Sequence, residues 1–207
     1  MSHRDKLVRT AMRLFRRQGY AGTGLQQILS ESEAPKGSLY HFFPDGKEAL
    51  AEAAVELAGR MIGEMLAAHA DRHPADPSRF VEAYGRTMSQ WMQESGFQSG
   101  CPIATVLLET APGSEPMCRR GQAVFDGWVE IIVGVYRNAG MQNAQALATA
   151  QSLIAAMEGA LILARVNRSI APIQSVVRTF RSRTAAPVSE DKSARPRRRK
   201  RPVVEPR

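Results

Sequence analysis

The chain has 207 residues, 43% of them hydrophobic and 23% charged, with a formal net charge of +8. This is the composition of an ordinary globular protein with enough apolar material for a sizeable core. Charges interrupt the apolar runs, so no membrane-crossing helix and no membrane partner are expected, and the N-terminal MSHRDKLVRT has no apolar stretch of the secretory type. Two cysteines, Cys101 and Cys118, read as reduced thiols of a cytoplasmic protein, not as a disulfide framework. The positive charge sits at the ends. Residues 181–207 carry ten basic and three acidic side chains, residues 1–48 eight and five, and residues 49–180 ten and twelve. A partner with a phosphate backbone would meet the ends first.

Prolines cut the chain into windows rich in Ala, Leu, Met, Glu, Gln and Arg, and no window alternates with period two, so the chain reads as all-α. The first predicted helix, 3–18, opens with a Ser2/Asp5 capping box. It carries Leu7, Val8, Ala11, Leu14 and Phe15 on one face and Arg4, Arg9, Arg13 and Arg16 on the other. Gly19 ends it with a left-handed cap, and Tyr20 folds back on the core. Thr23 and Gln26 form a second capping-box spacing before the short helix 24–31. The turn Ser32-Glu33-Ala34 leads into 35–42. Two short helices joined by a tight turn and braced by a longer one form a helix-turn-helix unit, spanning about 24–43.

The second short helix has an unusual surface. Leu39 and Phe43 face the core, which leaves Lys36, Gly37, Ser38, Tyr40 and His41 outward. Gly37 costs about 1 kcal/mol of helix propensity against alanine. Close approach to another backbone explains it, and a DNA groove edge is such a surface. Lys36, Tyr40 and His41 suit phosphate oxygens, with Lys47 at the start of the next helix within reach of the same strand. Taken singly, each of these residues is more often a solvated rim than a contact; the combination carries the signal.

Helices are further predicted over 46–72, capped by Asp45, 77–95, capped by Asp76 with Pro77 behind it, 102–110, 115–139, 143–168 and 170–181, nine in all. Residues 80–128 concentrate adaptable apolar groups. Most of these are core, but tryptophans, methionines and helix-interrupting glycines and prolines leave room for an apolar, aromatic ligand lined by Tyr84, Met88, Trp91, Met92, Ile103, Phe125 and Trp128. Cys101, after Gly100, is at a helix start that favours a thiolate; a small buried group at a tight corner is the stronger reading. His69 and His73 share i,i+4 spacing without a third ligand and read as exposed, and no metal or cofactor is expected. The small-residue helix 143–168 and the stripe on the following helix suggest a four-helix dimer interface through Leu153, Met157, Leu161, Ile173, Val177 and Phe180. Beyond residue 183 the chain is proline-rich and basic, with the run Arg197-Arg198-Arg199-Lys200-Arg201, and a disordered tail over 184–207 is expected.

The stretch LFRRQGYAGTGLQQILSESEAPKGSLYHFFPDGKEAL, with Phe15, Gly19-Tyr20, Thr23, Ile28, the run Lys36 to Phe43 and Lys47-Glu48, resembles the DNA-binding domain of TetR-type transcriptional regulators. GCPIATVLLE at 100–109 is similar to the C-terminal domain of the LmrA/YxaF-like branch. The resemblance implies a homodimer with a DNA-binding domain over 3–63 and a ligand-binding and dimerisation domain over 64–183. Such a protein binds a palindromic double-stranded DNA operator and releases it to a small-molecule effector. Residue by residue, it implies phosphate contacts from Thr23, beside Gly24, and from Lys47, with recognition by Lys36, Gly37, Tyr40 and His41. Glu33 departs from the glycine common in that turn, and Asp45-Gly46 lengthens the loop before Lys47. The alternative is a ligand-independent DNA-associating protein using the helix-turn-helix and the basic tail. No Ser/His/Asp constellation, phosphate-cradling loop or carboxylate pair suggests an enzyme.

Overall fold

The computed structural model describes residues 1–183; the predicted tail lies outside them. Nine α-helices and one 3-10 turn are found among the described residues: α1 His3–Gln18, α2 Leu25–Ser32, α3 Lys36–Phe42, α4 Lys47–Arg72, α5 Pro77–Glu94, α6 Ala104–Thr110, the turn Ala111–Gly113, α7 Glu115–Asn138, α8 Asn143–Asn167 and α9 Ala171–Arg183. The all-α expectation holds for this span.

Local chemistry sets several boundaries. The Ser2 hydroxyl accepts from the Asp5 amide at 3.1 Å while the Asp5 carboxylate accepts from the Ser2 amide at 3.2 Å, which closes the capping box. Asp76 accepts from the Arg79 amide ahead of Pro77. Two expected caps are absent. Thr23 does not cap α2, whose N-cap is Gly24 with no side-chain bond, and Gly46 replaces Asp45 at the start of α4. Gly46, at φ +65°, takes the N-cap position and leaves Asp45 one residue outside the helix.

α1 lies on α4, with α2 and α3 braced against α1. α4 continues past this unit and packs on α7, which packs on α8; α9 fills the side between α5 and α8. The core runs unbroken from Leu7, Phe15, Ile28 and Leu39 through Leu50 and Leu66 to Phe80, Met117, Ile132 and Met157. Gly59 lets α4 and α7 come close: a Cβ there would meet the Val124 side chain at 2.6 Å, and the Trp128 indole N–H donates to the Gly59 carbonyl at 2.9 Å. Arg120 of α7 spans Glu52 and Glu56 of α4 at 2.9 and 3.1 Å.

Three expectations are corrected by this packing. Leu153, Met157, Leu161, Ile173 and Phe180 are buried in their own chain, with Val177 half-buried against Gly85, because α8 and α9 turn those faces onto α5 and α7. Five of the six are therefore enclosed within the chain, and Val177 keeps part of its surface. His69 is buried, its Nε2 3.0 Å from the Thr87 hydroxyl, and burial holds its pKa below the usual histidine value; His73 is half-buried. One helix among the described residues, α8, is long and apolar enough to cross a membrane by length and composition, because no charge falls between Arg137 and Glu158. Its apolar character serves the core on one side and leaves Leu147, Ile162, Leu163 and Val166 exposed on another.

Glu33 ends α2 at φ 53°, a left-handed conformation that costs a side-chain-bearing residue roughly 1 kcal/mol and glycine almost nothing. Glu33→Gly is expected to stabilise the protein by about 1 kcal/mol at unchanged denaturant m-value. A fall in the urea midpoint would contradict this.

Candidate nucleic-acid interface

α3 carries the candidate surface. Leu39 and Phe43 are buried and anchor it. Lys36, Gly37 and His41 are exposed, as is Tyr40 at 51%, while Phe42 stands edge-on to the His41 ring at 4.8 Å. Nothing lies within 4 Å of where a Gly37 Cβ would be, so the protein's own packing does not require glycine there. Ser38 is half-buried, its hydroxyl 3.4 Å from His3 Nδ1, and points back toward α1. Gly24 is exposed at the start of α2. The cation, the open glycine, the phenol and the imidazole thus share one solvent-facing surface, suited to phosphate oxygens and base edges.

Of two residues expected to touch phosphate, one is enclosed and the other makes a contact within the chain. Thr23 is fully buried and its hydroxyl donates to the Gly19 carbonyl at 2.7 Å, so it fixes the α1–α2 loop from inside. The Lys47 ammonium lies over the Tyr20 ring, 4.2 Å from its centroid, and burial lowers its pKa.

Contacts that sequence reasoning did not find join this unit to the rest of the chain. The Glu109 carboxylate of α6 accepts from the backbone amides of Tyr20 at 2.9 Å and Ala21 at 2.7 Å. Arg16 Nε donates to the Gly100 carbonyl at 2.8 Å, the Gly100 amide returns a bond to the Arg16 carbonyl at 3.3 Å, and Arg165 of α8 donates to the Arg17 carbonyl. A single carboxylate on a short helix carries no sequence signal that separates it from a solvated one.

The expected ligand region is partly assembled. Tyr84, Met88, Trp91 and Trp128 line a small cavity of about 20 Å³ together with Ile62, Cys101 and Glu158. Its walls come from α4, α5, α7 and α8 and the segment before α6. Met92 and Ile103 are buried in the core and do not line it; Phe125 stands behind, its ring edge-on to Trp128 at 5.2 Å. Cys101 is buried, and that burial, with Glu158 beside it, pushes the thiol pKa far up. The small-buried-group reading holds and the thiolate reading does not. Burial also raises the Glu158 carboxyl above its usual range. Among the described residues no cluster of three metal-ligating side chains is present.

Comparison with known proteins agrees with this arrangement. Residues 7–54 match the bacterial regulatory proteins of the tetR family, and residues 77–179 match the transcriptional regulator LmrA/YxaF-like C-terminal domain. Among curated proteins, the uncharacterized HTH-type transcriptional regulator YxaF of Bacillus subtilis is 34% identical over 170 residues, covering 82% of this chain and 88% of that protein. The HTH-type transcriptional regulator LmrA of the same organism is 32% identical, covering 82% and 90%. Among solved structures, the reduced form of Escherichia coli NemR superposes with a TM-score of 0.78 at 25% identity, covering 87% of this chain and 95% of that one. The chain therefore belongs to the TetR family of helix-turn-helix DNA-binding transcriptional regulators, with a C-terminal domain of the LmrA/YxaF-like type.

Proposed function

We propose that this chain is a cytoplasmic, homodimeric repressor that sets α3 into the major groove of a palindromic operator and leaves it when a small apolar or aromatic effector enters the C-terminal domain. The observation that carries the DNA contact is the outward surface of α3, with Lys36, Tyr40 and His41 exposed around a Gly37 that the fold itself does not need. Lys36 and His41 reach phosphate oxygens, Tyr40 donates its hydroxyl at the groove edge, and Gly37 lets the helix backbone come close. Ser38 and Gly24 flank that contact, and the DNA-binding unit spans 3–63. NemR, a relative at 28% identity, is named a transcriptional repressor, which favours repression here.

A palindrome calls for a two-fold dimer. The surface that fits is the side of α8 left bare, where Leu147, Ile162, Leu163 and Val166 are exposed beside the small residues Ala155 and Gly159. Small residues allow two helices to approach closely. The effector belongs at the aromatic cavity of Tyr84, Met88, Trp91 and Trp128, which at about 20 Å³ has room for one water and must widen to admit it. Glu158 supplies a polar handle there.

Gly37→Ala separates fold from binding. With open space around it, the substitution leaves the melting temperature unchanged or raised. Affinity for an inverted repeat in the DNA flanking the coding region falls about tenfold, as for the loss of one close groove contact. Unchanged affinity in a footprinting titration would overturn the placement of α3. For the dimer, Val166→Arg is expected to give a folded monomer by size-exclusion light scattering, since Val166 is 75% exposed. Met157→Arg would instead unfold the chain, its site being fully buried. A Val166→Arg protein that stays dimeric would refute this face.

A further inference from the structure

Between α1, α4 and the connection from α5 to α6 lies an open groove of about 600 Å³, within the size range of small-molecule sites. One wall is α1. Arg9, Arg13 and Arg16 follow one another at four- and three-residue spacing, so their side chains share one face of the helix. The floor is apolar: Met61 at 40% exposure, buried Ile62 and half-buried Trp91. Glu94 is the acidic residue of the lining and stands against three cations.

Of those cations, only Arg13 forms an ion pair among the described residues, with Glu31 of α2 at 2.8 Å, both side chains exposed. Arg16 is half-buried with its guanidinium over the Trp91 ring, 5.6 Å from the centroid, and its Nε occupied by the Gly100 carbonyl. Among the described residues no carboxylate pairs with it, and it lines the groove. A face made only to solvate the helix, or only to meet phosphates, has no use for a concave floor of indole and thioether. Cations above such a floor match a molecule with a charge at one end and a flat apolar body at the other.

We propose that this groove is a binding site for an organic anion, a carboxylate, sulfonate or phosphate ester joined to a flat apolar body. Its charge rests on Arg9, Arg13 and Arg16 and its body lies along Trp91, Met61 and Ile62. The groove shares Ile62, Trp91 and Pro102 with the small cavity, but the site does not depend on the effector reading given above. An anion that takes Arg13 competes with Glu31, so occupancy loosens the side-chain tie between α1 and the first helix of the helix-turn-helix.

The test uses the full chain and 1-anilinonaphthalene-8-sulfonate as the probe, followed by its own fluorescence and by energy transfer from tryptophan. Saturable binding of one probe per chain is expected, weakening as salt rises. Arg9→Gln and Arg13→Gln are expected to weaken it about tenfold each, as for the loss of a charge-assisted contact, with the thermal melt unchanged because both side chains are exposed. N-phenyl-1-naphthylamine, the same body without the sulfonate, should bind about tenfold more weakly than the sulfonate. Probe affinity unchanged in the double variant, or equal for the charged and uncharged probes, overturns the site. Variants that lose affinity for operator DNA while keeping the probe would assign these arginines to phosphate contact and overturn it equally. Failure of the α3 experiment would leave the probe result untouched.

Discussion

The docking of residues 100–109 onto the end of α1 is the contact on which the placement of the reading surface depends. Glu109 takes the amides of Tyr20 and Ala21 on its two oxygens, and Arg16 and Gly100 exchange backbone and side-chain bonds. The two Glu109 bonds and the Arg16 Nε bond involve a charged partner and are among the stronger hydrogen bonds available; the Gly100 amide bond is an ordinary backbone one. Gly19 makes the geometry accessible: its φ of +81° turns the chain out of α1, and a Cβ there would strike the Glu109 carboxylate. The loop that follows leads directly into α2 and then α3, with Thr23 fastened inside it to the Gly19 carbonyl. The loop that feeds α2 and α3 is therefore held by a carboxylate outside the helix-turn-helix, in addition to the burial of Leu39 and Phe43 that anchors α3.

The same segment begins at the cavity. Cys101 and Pro102 are among its walls, and Glu109 lies seven residues further along, at the loop. A second connection runs through α4, a helix of 26 residues that starts beside α3 and ends against α5. Its middle is held to α7 by the Trp128–Gly59 bond and by Arg120. Trp128 is also a cavity wall, so the cavity touches both connections. Packed helices shift between discrete arrangements and do not deform smoothly, which makes such paired connections suited to moving a reading surface as a unit.

Much of this was legible in the sequence where one residue type has one dominant physical use. Pro77 behind Asp76, the Ser2/Asp5 pair and the glycine-bearing, cation-bearing α3 each pointed to a single local structure. The faces of α8 are not legible: alanine and leucine surround the helix, so periodicity does not tell the side that packs on α7 from the side left bare, and Met157 and Leu161 lie on the buried side. Thr23 illustrates a different loss. A threonine before a helix reads as a cap, but here its hydroxyl has a nearer carbonyl within the loop. Glu109, Glu158 and His69 took their environments from segments far away in sequence, and an isolated titratable residue carries no sign of that.

Amide hydrogen exchange at Tyr20 and Ala21 tests the central contact directly. In the Glu109→Ala protein both amides should lose protection, together with the first turn of α2, while α7 and α8 exchange as before. Full protection of Tyr20 and Ala21 without the carboxylate would mean that the loop holds its own shape and that residues 100–109 do not position the reading surface.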